Sequence, residues 1–251
     1  MLVPASAESG ETEDTPQPLI PKGLALPFFL VTALFFLWGV PSNLNDVLIR
    51  QFMKSFAISR FEAGLVQSAF YMGYFLLAIP AALLMRKMGY KFGIVVGLLL
   101  FASGSFLFWP AALLGRYSFF LFALFVIASG LSFLETASNP FVAQLGSPQS
   151  AARRLNFSQA FNPLGAISGV LGGTIFIFSG IELTPQQAAA MRAANTYDGY
   201  LRHETMRVVI PYLVVGAIAL LWALLIGRTT FPTIAREREN GKEDHGSFKE
   251  L

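Results

Sequence analysis

The chain contains no cysteine, which excludes a disulfide framework and thiolate ligation of zinc or an iron–sulfur cluster. Histidine is almost as scarce. His203 and His245 are the two present, and both lie outside the apolar runs, so no imidazole stands in those runs for a metal or for acid–base catalysis. Charged residues make up 13%, well short of the quarter or so that a soluble domain carries. The net charge of +3 and the pI near 9.3 are basic. The Lys and Arg residues nevertheless sit at the ends of apolar runs instead of forming one stripe, which argues against a nucleic-acid partner. No HExxH and no nucleophile with a neighbouring base occurs, so an enzyme is not the favoured class. No cofactor and no metal ion is expected.

What the chain has in excess is apolar length. Hydrophobic residues make up 54%, and the mean hydropathy of +0.57 makes lipid the natural solvent. Six runs stand out, at about 24–49, 63–85, 92–114, 117–145, 157–179 and 208–227. They predict an all-α membrane protein with six transmembrane helices over residues 24–230. Residues 1–23 carry Glu8, Glu11, Glu13 and Asp14 among Pro, Ser and Thr, lack the basic start of a secretory signal, and are expected to be a disordered tail. The polar stretch 231–251 reads as a connector. An even number of crossings puts both termini on one side, and eleven of the eighteen Lys and Arg residues fall there against seven opposite. Both termini are therefore expected in the cytoplasm, with the protein in the cell (inner) membrane. The longest loop, 180–207, has helix formers after Thr184 and Pro185 and is expected to hold a surface helix.

Among acidic residues, Asp46 and Glu135 are the two that fall inside apolar runs. A carboxylate at membrane depth costs about 2.5–3.5 kcal/mol, so such a group by default serves the passage of ions, protons or polar solutes. Asn43, Asp46 and Arg50 share a helix face and suggest a proton-titrating carboxyl beside an amide; the plainer account is an Asp46–Arg50 ion pair that steadies the helix end. Glu135 shares its face with Ser132, Ser138 and Asn139, a set able to hydrogen-bond several hydroxyls. Small polar residues also glue membrane helices together, but that role needs no carboxylate. Asn156, Gln159 and Asn162 follow at spacings of three, and amides that both donate and accept suit a sugar. Gln67, Tyr71 and Tyr74 form another face, whose rings suit either stacking under a pyranose or simple packing. Pro80, Pro140 and Pro163 mark expected bends.

The stretches LFFLWGVPSNLNDVLIRQF, GLVQSAFYMGYFLLAIPAALLMRKMGYKFGI, FWPAA, GLSFLETASNPFVAQLG and RRLNFSQAFNPLGAI resemble the fucose permease type of sugar:proton symporter in the major facilitator superfamily. The resemblance implies a fold of two six-helix halves with the substrate between them, this chain matching the N-terminal half, built as two inverted three-helix repeats. It implies proton coupling and sugar recognition by Asp46 and Glu135. With the readings above, the candidate sugar-binding set is Asn43, Glu135, Gln159, Asn162, Gln67, Tyr71, Tyr74 and Asn139. The expected activity is proton-coupled uptake of L-fucose or a related hexose by alternating access. The expected partners are sugar, proton, the bilayer and a second six-helix half, either a missing C-terminal half or another copy. The alternative is a truncated or non-transporting membrane module that only docks on a partner half.

Overall fold

The computed structural model describes residues 18–20 and 23–231, so most of the expected tail and nearly all of the connector lie outside the described residues. Within them the chain is helical throughout. In order the helices are α1 (Ala25–Ser55), α2 (Arg60–Ala63), α3 (Leu65–Met88), α4 (Tyr90–Phe106), α5 (Phe108–Leu114), α6 (Tyr117–Gln144), α7 (Ala151–Gln159), α8 (Phe161–Phe176), α9 (Pro185–Ala193), α10 (Tyr197–Met206) and α11 (Val209–Arg228).

Three interruptions have one cause. Pro110, Pro163 and Pro211 lack the N–H that would bond the carbonyl four residues back, at Phe106, Gln159 and Arg207. Helices α4 and α7 end on the first two of these residues, and the α10–α11 junction falls on the third. Pro41, Pro80 and Pro140 are instead carried inside α1, α3 and α6. Five helical stretches among the described residues are long and apolar enough to cross a membrane: Ala25–Ser55, Arg60–Met88, Tyr90–Leu114, Tyr117–Gln144 and Tyr197–Arg228. The fifth expected span, 157–179, is not among them. It falls on α7 and the 16-residue α8, and 16 residues reach only about 24 Å against a hydrocarbon core of about 30 Å. A crossing there has to include the polar α7 with Asn156 and Gln159.

The main packing partners are α1 with α8, α3 with α6, α4 with α6 and α4 with α11. Numbered as spans, the first, second and fourth of these pairs are one–five, two–four and three–six. Exchanging the first three spans for the last three turns one–five into four–two and leaves three–six in place, as an inverted repeat would, but it turns the close α4–α6 pair, three–four, into six–one, where α11 and α1 barely meet. Two close crossings hold the bundle. At α1–α8, a Cβ on Gly165 would fall on the Phe36 carbonyl oxygen, and one on Gly39 would fall on that of Asn162. At α4–α6, a Cβ on Gly130 would stand 2.5 Å from the Gly97 carbonyl oxygen. Without a hydrophobic drive between helices in lipid, such small-residue contacts supply the packing that associates them.

Both ends of the bundle are pinned by buried polar side chains. At one end Arg154, fully buried, donates to the carbonyls of Val142, Ala143 and Ser147 and to the Ser150 hydroxyl. It thereby satisfies the Ala143 carbonyl, which the last turn of α6 leaves without a helical partner, and ties that turn to the Ser147–Ser150 loop. At the other end the Lys54 ammonium pairs with Glu204 at 3.1 Å, and Gln51 donates to the same carboxylate at 3.0 Å. The expected helix in 180–207 is present as α9, started by a capping box between Thr184 and Gln187. The segment is not all surface, since Glu204 on α10 is only 1% exposed.

Candidate functional site

A cavity of about 270 Å³ opens on one side of the bundle, lined by Phe35, Trp38, Glu135, Asn139, Gln159, Asn162 and Pro163. Each lining element is placed by a feature already described. The glycine crossing brings α8 hard against α1, so Asn162 meets the Phe35–Trp38 turn and donates to the Phe35 carbonyl at 3.2 Å. Those two rings lie 4.4 Å apart and form one wall. Glu135 and Asn139 stand one turn apart on α6, and the Asn139 amide donates to the Glu135 backbone carbonyl at 3.0 Å. Gln159, at the end of α7, donates to the Asn139 side-chain oxygen at 3.3 Å.

The arrangement leaves the acid open. No described side chain donates to the Glu135 carboxylate, and both Glu135 and Gln159 are exposed. The polar face is therefore uncovered at a depth where neighbouring spans are apolar, and irregular or polar surface survives at that depth only beside water or protein. With two acceptor oxygens, three partly engaged amides and an aromatic wall, the cavity can accept hydroxyl donors while a ring face rests on Trp38.

Four of the candidate residues, Glu135, Asn139, Gln159 and Asn162, thus come together. Asn43, Gln67, Tyr71, Tyr74 and Asp46 do not line this cavity. The Asn43 amide is turned onto the Gly39 carbonyl of its own helix at 3.1 Å. Tyr71 is 64% exposed on α3. The Tyr74 hydroxyl stands beside Ser42 and in electrostatic range of Glu135. Asp46 follows Trp38 by eight residues, about 12 Å along α1. It is exposed and accepts from the Gln67 amide at 2.9 Å. It forms no ion pair with Arg50; Lys54–Glu204 is the one ion pair among the described residues. Two members of the cavity, Phe35 and Trp38, escape a reading of the sequence, because aromatic residues inside a continuous apolar run carry no signal of which way they face.

An all-helical bundle of apolar spans enclosing an acid and amides defines a multi-pass membrane protein of the transporter class. The model of the Major Facilitator Superfamily matches residues 26–250, and the chain belongs to that family. It is 46% identical over 227 residues to the L-fucose-proton symporter of Escherichia coli K12, covering 90% of this chain and 52% of that one. It is 39% identical over 207 residues to a putative glucose/galactose transporter of Helicobacter pylori J99, covering 82% and 48%. A crystal structure of the Escherichia coli fucose:proton symporter matches with a TM-score of 0.71 at 47% identity, over 84% of this chain and 50% of the other. One of a Major Facilitator Superfamily transporter, FucP, in the outward conformation gives 0.72 at 47% identity, over 84% and 51%. The chain spans about half the length of the curated relatives it matches, and its architecture is that of an N-terminal half.

Proposed function

We propose that the chain supplies the N-terminal half of a proton-coupled sugar transporter that takes up L-fucose or a related hexose by alternating access. The observation that carries the reading is the convergence of Glu135, Asn139, Gln159 and Asn162 beside Phe35 and Trp38 on a face that apolar lipid cannot cover. Glu135 accepts from sugar hydroxyls, the amides of Gln159 and Asn162 donate and accept, and the Trp38 ring meets the less polar face of the sugar. Asp46, two turns along α1, carries the proton; once neutral, it adds no bare charge to be dragged through a dry barrier when the site reorients with the Glu135 carboxylate covered by sugar hydroxyls. Asn43, Gln67, Tyr71 and Tyr74 border the path between the two acids. The open face is closed by a second six-helix half. Both termini lie in the cytoplasm, and the protein resides in the inner membrane.

Uptake of labelled L-fucose into proteoliposomes under an inward proton gradient tests the reading. The chain reconstituted with a second half is expected to accumulate sugar, and a protonophore to abolish the accumulation. Absence of uptake with every second half supplied, another copy of the chain included, would leave a membrane module that docks without transporting.

A further inference from the structure

A second cavity lies on the far side of α1. It measures about 430 Å³ and runs between α1 and the pair α8 and α11, with Phe29, Ala33, Phe36 and Val40 of α1, Phe161 of α8 and Trp222 of α11 in its walls. Around a helix of 3.6 residues per turn these four α1 positions point about 160° away from Phe35 and Trp38, so the sugar cavity and this groove occupy opposite faces of α1. A second half that closes the one does not reach the other. The polar side-chain groups in the lining are both engaged, the Thr32 hydroxyl with that of Ser158 at 2.8 Å and the Trp222 indole N–H with the Leu30 carbonyl at 3.0 Å, so a guest meets only hydrocarbon. From Phe29 to Val40 the groove follows α1 for about 16 Å, which is one leaflet of a hydrocarbon core about 30 Å thick. Its volume over that length leaves a slot about 5 Å across, where a packed helix needs about 10 Å. Carbons in contact stand about 3.5–4.0 Å apart, so the slot takes one hydrocarbon chain.

The end of the groove nearer the start of α1 is basic. Arg153, Phe157 and Phe161 follow at spacings of four, and Ala160, between α7 and α8, keeps helical dihedrals of −61° and −18°, so the three share one face. Phe157 stacks on Phe28 at 5.9 Å and meets Phe161 edge-on at 5.5 Å. This stripe runs from Arg153, about 12 Å out, down to the wall of the groove. Helix α11 reaches the same end with Arg228 as its last residue. Both arginines are exposed, and neither makes an ion pair among the described residues. No described acid competes for them: Asp46, Glu62, Glu182, Asp198 and Glu204 lie toward the opposite end of the bundle, and Glu135 lines the sugar cavity. We propose that the groove is a binding site for one anionic phospholipid of the leaflet in which α1 begins, with an acyl chain in the slot against Phe36 and Trp222 and the phosphate held by Arg153 and Arg228. A guanidinium presents parallel N–H donors that match phosphate oxygens, so the basic end selects the headgroup while the slot selects the chain. The site needs neither a sugar nor a second half, and it stands or falls apart from the transport reading.

The test is quenching of Trp222 fluorescence by bromine in the full chain, in nanodiscs of phosphatidylglycerol and phosphatidylcholine at equal mole fraction, with Trp38→Phe and Trp109→Phe leaving Trp222 as the single indole. Bromine is placed on the acyl chains of one lipid class at a time. Brominated phosphatidylglycerol is expected to quench the more strongly, with a relative binding constant of about five or more, since one basic side chain at a membrane surface contributes roughly that factor toward anionic lipid. Arg153→Gln together with Arg228→Gln should bring the constant to about one, while bromine on both classes together quenches as before. Ala33→Leu, which puts a side chain into the slot, should weaken quenching by both classes, and Ala33→Val carries the same expectation if the leucine variant does not fold. Equal quenching by the two classes with both arginines present overturns the site and leaves ordinary boundary lipid. A preference that survives the loss of both arginines overturns their part in it, and quenching indifferent to the folded Ala33 variant overturns the slot as the seat of the chain.

Discussion

Replacing Glu135 by Gln keeps the size of the side chain and removes its charge together with one acceptor oxygen. The carboxylate has no protein donor among the described residues, so both of its oxygens are available to sugar hydroxyls, and the neighbouring Asn139 amide donates to the Glu135 backbone carbonyl instead of the carboxylate. A hydrogen bond to a charged acceptor contributes about 1.5–3 kcal/mol, against about 0.5–1.5 for a neutral one. The glutamine retains one neutral acceptor, and its NH2 cannot receive the hydroxyl proton that the second carboxylate oxygen received. The expected loss is therefore about 1.5–3 kcal/mol, or roughly 10- to 150-fold in Kd. Trp38 lines the same cavity, so quenching of its fluorescence by sugar, read against a Trp38→Phe control, reports binding in the chain assembled with a second half. Thermal stability of the variant should match wild type, because no internal bond is lost. A sugar Kd for Glu135→Gln within twofold of wild type, with the protein folded, would remove Glu135 from the site and with it the argument from the cavity.

Lys54→Met strands the Glu204 carboxylate, 1% exposed, with Gln51 and the Ser179 hydroxyl as its remaining side-chain donors, and should destabilise the protein by roughly 2–4 kcal/mol in a detergent unfolding assay. Adding Glu204→Gln to that variant should recover most of the loss; no recovery would show that packing, and not the stranded charge, is responsible. Gly165→Val drives a side chain into the Phe36 carbonyl and should lower both thermal stability and sugar binding, while Gly172→Ala, with nothing within 4 Å of its Cβ, should change neither. Since the chain has no cysteine, a single thiol introduced at Glu182 or at Arg153 reports sidedness directly: with cytoplasmic termini, a membrane-impermeant reagent on intact cells labels the first and spares the second.

Much of the architecture follows from one-dimensional pattern, because a bilayer forces each crossing to be a helix of a set length. Glu135, Asn139, Gln159 and Asn162 were legible for the same reason: polar groups at helical spacing inside apolar runs have a face in common, and two such faces have few places to go. The helix breaks were legible only in part: Pro163 stands at one, but Pro80 and Pro140, equally expected to bend the chain, lie inside unbroken helices, while Pro110 and Pro211 stand at breaks that were not expected. Partnerships between helices were not legible. That Gln67 serves Asp46, 21 residues away, instead of the sugar cavity depends on how α1 and α3 rotate against each other, and no spacing encodes that rotation. The burial of Glu204 was hidden likewise, because its neighbours in sequence read as a polar loop while its neighbours in space are Gln51 and Lys54.

The proline that stops α7 sits inside the wall of the cavity. Its missing N–H leaves the Gln159 carbonyl with no helical bond to surrender, so bending at that joint costs less than bending anywhere in an intact coil. On one side of the joint, Asn162 is clamped by glycine against its neighbour; on the other, Gln159 follows the buried Ser158, whose hydroxyl meets that of Thr32 at 2.8 Å, on a helix that Arg154 fastens to α6. A guest arriving in the pocket would thus meet two amides held at a fixed offset, and that offset is written in a single imino acid.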